Sequence, residues 1–437
     1  MSVPAVETKP RTSRRVRDLL AVNFGNALEW YDWNIYTIFA PYFAVQFFNP
    51  DDSTSAFLAT LAVFAVGFVA RPIGGYLFGS FADRVGRRQA LFVAMMLTAL
   101  GSLIIAVTPT YENIGIFASA ILVAARLLQG LAHGGEMGTS VTYLVERAPK
   151  GRRAFFGSTS WVSVVIGTIL ATLMGLLMNG LLSEEQMGSW GWRIAFGVGA
   201  ALGLYALYLR RNLVETDAFK EQAEDVAAEG KTEVPGEPKH RAGLLSYGRG
   251  LFVIFGVSAG GSLMFYTWLI YLPTYSRVEF GQDATSSLTA GLIAQVAFLF
   301  LILGAGLLGD RIGRRPLVIA FGAVFVVLTW PVYHLVDGSF AALLAAMIIS
   351  LAGLALLFGV NGAVWAEALP THVRAAGVAG TLSLSTALFG GTAPYLNAWL
   401  TENGRGDWFI IYMIIIAGFT LVTGLVMRES KDYALTR

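Results

Sequence analysis

The sequence predicts an all-α membrane protein: twelve transmembrane helices in two pseudo-symmetric bundles of six. Three observations lead there. Apolar residues make up 55% of the 437 residues and charged residues 14%, with a mean hydropathy of +0.61. So little polar surface means that the solvent around most of the chain is lipid. Crossing a hydrocarbon core of about 30 Å takes about 20 apolar residues, and twelve stretches qualify. The third observation is a duplication. Gly79-Ser-Phe-Ala-Asp83-Arg84-Val-Gly86-Arg87-Arg88 returns as Gly306-Leu-Leu-Gly-Asp310-Arg311-Ile-Gly313-Arg314-Arg315. Downstream, Glu146, Pro149, Arg153 and Gly157 are answered by Glu367, Pro370, Arg374 and Gly377.

In chain order, a basic tail over 1–18 (Lys9, Arg11, Arg14, Arg15, Arg17) leads into spans at 19–48, 55–80, 89–108, 114–144, 155–182 and 192–211. Because no short apolar stretch followed by a small-residue cleavage site comes first, the tail reads as cytosolic, not as a signal peptide. Residues 19–212 form the first bundle. The polar segment 213–247 mixes Glu221, Glu224, Asp225, Lys231 and Arg241 with Pro235, Gly236 and Pro238, and reads as a linker. The second bundle, 248–427, holds spans at 249–276, 285–308, 316–336, 339–366, 375–400 and 408–427, before a tail at 428–437. All but five of the 31 Lys and Arg fall on one side if both termini are cytoplasmic, the exceptions being Arg71, Arg126, Arg193, Arg277 and Arg405. Trp190, Trp192 and Trp408 fit interfacial anchors.

Several functions are excluded or find no parts. There is no cysteine, hence no disulfide or thiolate chemistry, and the four histidines at 133, 240, 334 and 372 lack metal-ligand spacing. No P-loop is present, so ATP does not drive the protein. No cofactor, metal, catalytic residue or nucleic-acid partner is expected.

Charges inside spans are more telling, since each costs at least about 2.5–3.5 kcal/mol at a helix centre unless partnered or hydrated. They occur in the first half alone: Glu29 and Asp32 on the first span, Arg71 on the second, Arg126 on the fourth. Helix rise places Glu29, Arg71 and Arg126 about 16–18 Å deep, near the midplane. Asp32 shares the face of Glu29. The second half contributes hydroxyls and amides instead, at Tyr266, Thr267, Tyr271, Thr274, Tyr275, Gln295, Asn361 and Asn397.

The duplicated motif resembles the loop motif of the major facilitator superfamily, and Arg126-Leu-Leu-Gln129-Gly130 resembles that superfamily's R-x-x-Q-G. Gly25-Asn26-Ala-Leu-Glu29-Trp30-Tyr31-Asp32, Arg71-Pro72-Ile73-Gly74-Gly75, Gly134-Gly135-Glu136 and Trp190-Gly-Trp192-Arg193 are together similar to the metabolite:proton symporter family. The resemblance covers nearly the whole chain. It implies a bacterial cytoplasmic-membrane symporter, working as a monomer, that takes up a small organic anion with protons. A dicarboxylate such as α-ketoglutarate leads. Aromatic or shikimate-like acids, citrate and zwitterionic osmolytes are alternatives within the family, and an antiporter or non-transporting sensor outside it. The helix-5 motif of drug antiporters is missing, because Val162 to Gly175 contains no proline.

In that fold, helices 1, 4, 7 and 10 line the cavity, which implies that the buried charges meet. Two arginines suit the two ends of a dicarboxylate, their planar forks fitting carboxylates better than a lysine would. Tyr36, Gln129, Tyr266, Thr267, Tyr271 and Asn361 would complete the binding set. Glu29 and Asp32 are expected to take protons when substrate occupies the arginines; the alternative is a permanent structural salt bridge. Glu136 can relay a proton inward or bind a loop. His133 shares the face of Arg126 and departs from the small or apolar residue of the resembled symporters; it is either a proton site or a packed neutral histidine. Gly79, Asp83, Arg84, Gly86, Arg87 and Arg88, with Asp310, Arg311, Arg314 and Arg315, are expected to latch the cytoplasmic side, the Asp capping a neighbouring helix or pairing with a base. Glu146 with Arg153 and Glu367 with Arg374 join that network. A topology signal and a tight turn would be the plainer explanation.

Overall fold

The computed structural model describes residues 11–49, 51–85, 87–134, 141, 144–145, 148–149, 151–210 and 244–431. Over 11–22, 24, 79–91, 206, 208–210, 244–245, 371–372 and 375 the backbone alone is described. The linker lies almost wholly outside these residues.

The described residues form twelve long helices and no strand: α1 (Arg11–Phe47), α2 (Ser53–Val85), α3 (Arg87–Val107), α4 (Ile116–His133), α5 (Arg153–Leu181), α6 (Trp192–Arg210), α7 (Gly248–Phe280), α8 (Ala284–Ile312), α9 (Arg315–Tyr333), α10 (Phe340–Ala368), α11 (Thr371–Ser385, continuing through Thr386–Gly391 to Ala393–Glu402) and α12 (Gly406–Val426). Eight of them are long and apolar enough to cross a membrane by length and composition. The others are diluted by Glu29, Asp32, Asn34, Gln46 and several Trp and Tyr residues (α1), have an apolar described stretch of Phe92–Val107 (α3), run into residues described by backbone alone (α6), or are interrupted (α11).

The duplication is visible in the packing. In the first half α1 packs on α5, α2 on α4 and α3 on α6; in the second, α7 packs on α11, α8 on α10 and α9 on α12. The halves meet along α5–α8 and α2–α11, which are equivalent pairs with the halves exchanged. One seam is closer than side chains would allow. A Cβ on Gly130 would come within 2.0 Å of the Gly67 carbonyl, and one on Gly134 within 1.8 Å of the Arg71 carbonyl. Glycine there lets the α2 and α4 backbones touch.

Three departures from the expected spans have local causes. The loop motif's first half is helical: α8 runs through Asp310 and ends at Gly313, whose φ of 106° favours glycine. Helix α10 is interrupted at Gly359 and Val360, where Gly359 presses on the backbone of Ala305 and Gly306. Helices α7 and α11 contain π-helical stretches, Phe265–Tyr271 and Thr386–Gly391, which hydropathy does not signal. Trp190 and Trp408 are exposed as anchors should be, but Trp192 is fully buried against Phe43 and Phe47.

Candidate functional site

The α2–α4 seam brings Arg71 and Arg126 together. Both guanidinium groups are buried, their carbons 4.2 and 4.0 Å from the centroid of one indole, Trp33 of α1. Phe68 flanks Arg71 at 4.0 Å, and Tyr36 flanks Arg126 at 4.3 Å. Such contacts partly replace lost hydration of the cation. Neither arginine forms an ion pair with a carboxylate among the described residues. Arg126 Nη1 donates to Gln129 Oε1 at 2.8 Å; its Nε and Nη2 have no partner, nor do Arg71 Nε and Nη2. The Trp30 indole nitrogen and the Tyr266 and Thr267 hydroxyls are likewise buried without a partner.

The carboxylates stand one step back. Gln129 Nε2 donates to Asp32 Oδ2 at 2.6 Å, and Ser102 Oγ to Asp32 Oδ1, so Asp32 reaches Arg126 through an amide. Glu29 pairs with His133 Nδ1, and the same nitrogen accepts from Trp33 Nε1 at 2.9 Å. The expected charges therefore converge, but through Gln129, His133 and Trp33 instead of as direct arginine–carboxylate bridges. Both carboxylates also line a cavity of about 30 Å³ bounded by Thr98 and Ala99 of α3, Ala132 of α4 and Gly199 and Gly203 of α6, large enough for a water.

From the second half, the π-helical stretch of α7 carries Tyr266, Thr267 and Tyr271 inward. An extra residue in the turn re-aims side chains, a device common at functional sites. Tyr266 stacks on Trp30 and meets Phe68 edge-on at 5.1 Å. The second π-helical stretch lies alongside, Gly390 against Tyr266 and Gly391 against Phe68. Tyr271 is buried beside Tyr275, Tyr36 donates to the Thr60 carbonyl at 2.9 Å, and Asn361 accepts the Trp161 indole N–H at 2.8 Å. Thr172 similarly donates to Gln295, and Tyr333 to Asn397. Aromatic residues from both halves fill the centre, with Phe265 stacked on Phe358.

At the loop-motif end, the second copy joins the halves. Asp310 accepts from the backbone N–H groups of Ala154 and Phe155 at 2.9 and 3.0 Å, capping α5 across the interface. Glu367 pairs with Arg153 at 3.4 Å and Arg314 at 3.2 Å, and accepts from Ser430. Its described ion pairs thus run to α5 and the loop rather than to Arg374, whose Nε donates to the Leu369 carbonyl. Arg311 lies exposed, and its carbonyl accepts from Lys431. Arg315 donates to the Gly424 and Leu425 carbonyls. At the opposite end, Arg277 lies 4.1 Å over the Tyr42 ring. Described contacts thus join the two halves at both ends. Gly79, Asp83, Arg84, Gly86, Arg87, Arg88, Glu136 and Glu146 lie, in side chain or entirely, outside the described residues.

Residues unmarked by the sequence reading matter here. Trp33 follows Glu29 by four positions and so shares its helix face, the one signal available. Glu429, in the C-terminal segment, receives the backbone N–H groups of Arg314 and Arg315 at 3.0 Å each; nothing in its spacing marks it.

A duplicated bundle of membrane-crossing helices with polar groups buried at its centre, its halves joined by contacts at both ends, has the architecture of a multi-pass transporter. The chain belongs to the Sugar (and other) transporter family of the major facilitator superfamily, matching it over residues 19–436. It is 35% identical over 433 residues to the alpha-ketoglutarate permease of Escherichia coli (strain K12), covering 98% of this chain and 97% of that one. The proline/betaine transporter of the same organism is 30% identical over 421 residues, 95% of this chain and 84% of that one. The solved xylose transporter XylE from E. coli, in a partially occluded inward open conformation, shares the fold with a TM-score of 0.73 at 21% identity, over 95% of this chain and 98% of that chain.

Proposed function

We propose that the protein is a proton-coupled symporter importing a small dicarboxylate, α-ketoglutarate or a close relative, across the bacterial cytoplasmic membrane. Both termini are cytoplasmic, and the monomer is the working unit. The observation that carries this reading is the arginine pair: two buried guanidinium groups over one indole, each with two nitrogens unpartnered. Buried cations require compensation, and two planar forks are suited to two carboxylates.

Substrate carboxylates bind Arg71 and Arg126, with Tyr266 and Thr267 orienting the remaining oxygens. When the anion engages Arg126, its bond to Gln129 weakens, and Asp32 behind Gln129 takes a proton. Opening then alternates between the Arg153, Asp310, Arg314 and Glu367 cluster and the Tyr42–Arg277 contact. Each net charge carried is worth about 2.3 kcal/mol per 100 mV.

A zwitterion such as betaine is the second reading. Trp30, Trp33 and Tyr266 form aromatic walls of the kind that receive quaternary ammonium groups, and the proline/betaine relative points the same way. Uptake of labelled α-ketoglutarate into proteoliposomes under an inward proton gradient separates the two. Accumulation that collapses with the gradient and is displaced by succinate but not by betaine supports the dicarboxylate. Displacement best by betaine or proline overturns it. Asp32→Asn is expected to keep exchange while abolishing proton-driven accumulation; unchanged accumulation would move the coupled proton to another carboxylate.

A further inference from the structure

Trp33 touches both the anion site and the buried acid–base pair behind it. Its ring carries Arg71 and Arg126 at 4.2 and 4.0 Å, while its indole N–H donates to His133 Nδ1 at 2.9 Å. That Nδ1 also lies against Glu29 Oε1. A ring nitrogen offers either one lone pair or one proton. It can accept from Trp33 only when unprotonated, and it can donate to a Glu29 carboxylate only when protonated. The two contacts exclude each other.

We infer that Trp33 is a positioning residue that couples proton occupancy of the Glu29–His133 pair to the geometry of the arginine pair. The inference rests on the symport reading above. In the unprotonated state His133 keeps its proton on Nε2, and Nδ1 holds the indole N–H. A proton from water, reaching the pair through the cavity beside Glu29, binds Nδ1 and makes an imidazolium. The N–H···Nδ1 bond to Trp33 breaks and an Nδ1–H···Oε1 bond to Glu29 forms. The indole N–H is then buried without its acceptor, which is costly. An anion held by Arg71 and Arg126 beside the same ring supplies a new one. The added positive charge also favours the anion, so both effects have one sign. Protonation strengthens anion binding, and by reciprocity the anion strengthens protonation.

Among the described residues, the charged and titratable groups of this cluster are Glu29 and Asp32 on α1, Arg71 on α2, Arg126 on α4 and Tyr266 on α7. On α3, Ser102 meets Asp32 and Thr98 lines the cavity beside both carboxylates. Asp32 is held by Ser102 and Gln129 and takes no part in the exchange of contacts at Nδ1. Phenylalanine at 33 would keep an aromatic face for the arginines but lose the N–H, which separates the two roles of the residue.

The test has two readouts. In exchange of labelled for unlabelled α-ketoglutarate without a gradient, the wild-type half-saturation concentration should rise with pH, each linked proton adding up to about tenfold per pH unit. Trp33→Phe should remove most of the share carried by the Glu29–His133 pair and leave that of Asp32, so its slope should be at least about threefold per pH unit shallower than the wild-type slope. His133→Gln, which keeps an acceptor but cannot titrate, should be shallower too. A wild-type slope in either variant overturns the inference. Nitrogen-15 NMR of histidine-labelled protein, with His133 assigned by its loss in His133→Gln, follows Nδ1 without substrate. Trp33→Phe removes a bond that favours unprotonated Nδ1, so its midpoint should rise; an unmoved midpoint overturns the inference. Wild-type protein that exchanges no dicarboxylate would sink the substrate reading instead, and leave the NMR titration to decide the role of Trp33.

Discussion

Arg314 and Arg126 are both buried arginines in an apolar protein, yet they are neutralised in opposite ways. Arg314, at the loop-motif end, meets Glu367 at 3.2 Å and Asp310 at 3.4 Å and donates to the Gly309 carbonyl at 3.0 Å. Arg126, at the centre, has aromatic faces and an amide and, among the described residues, no carboxylate. The protein supplies the counter-charge in the first case. In the second, the compensation is polarisable and incomplete. Under the function proposed above, the same residue type is structural where its anions are covalently part of the fold and receptive where they are not.

The contrast can be broken most forcefully at the structural end. Glu367→Ala should leave Arg314 buried beside a missing partner and cost about 3–5 kcal/mol, seen as a large fall in the thermal unfolding temperature of purified protein. An unchanged unfolding temperature would place Arg314 in the same category as Arg126. Next in size, Arg126→Lys should reduce α-ketoglutarate exchange about 100-fold, or about 2.7 kcal/mol in transition-state terms, while the unfolding temperature holds. Near wild-type exchange would remove Arg126 from the site. Asp310→Asn, weakening the cap on α5, should cost about 1 kcal/mol of stability; no loss would reduce the cap to a bystander.

The smallest expected effect is pH dependence at Glu429. Burial pushes its carboxyl up, but the backbone N–H groups of Arg314, Arg315, Lys431 and Ser430 outweigh it and hold the group below its ordinary 4.5. A depressed folded-state value contributes stability that is complete above 4.5 and is lost as pH falls through the lower value. Wild-type protein should therefore lose, on acidification below that point, an increment of unfolding temperature that Glu429→Gln lacks throughout. Parallel curves for the two proteins would assign the loop's stability to Glu367 alone.

Much of this was legible in the sequence, for identifiable reasons. Hydropathy and the repeated Asp-Arg-x-Gly-Arg-Arg loop marked the spans and the duplication, since lipid punishes any other pattern. Arg71, Arg126, Glu29 and Asp32 stood out because charge is rare at such depth. What the sequence left open was partner choice. Gln129 stands between Arg126 and Asp32, and His133 takes Glu29, because rotamer and helix rotation settle contacts that depth alone does not. Trp33 was hidden by its type: an aromatic residue in an apolar helix is ordinary until its ring is seen beneath two cations. The π-helical stretches of α7 and α11 leave no periodic trace, and Glu429 became a cap through a fold-back that no spacing rule describes.

The glycine seam between α2 and α4 has a consequence for selectivity. Helices touching backbone to backbone at Gly67, Gly74, Gly130 and Gly134 have no side-chain layer to slide on, so they travel as one stiff unit when the halves rock. Arg71 and Arg126 ride on that unit. On the alternating-access reading proposed above, their separation is a fixed gauge, the same whichever way the protein faces. A cargo held by the two arginines is then measured once, against an unyielding calliper, and the moving parts of the molecule decide when it is released but not how long it is permitted to be.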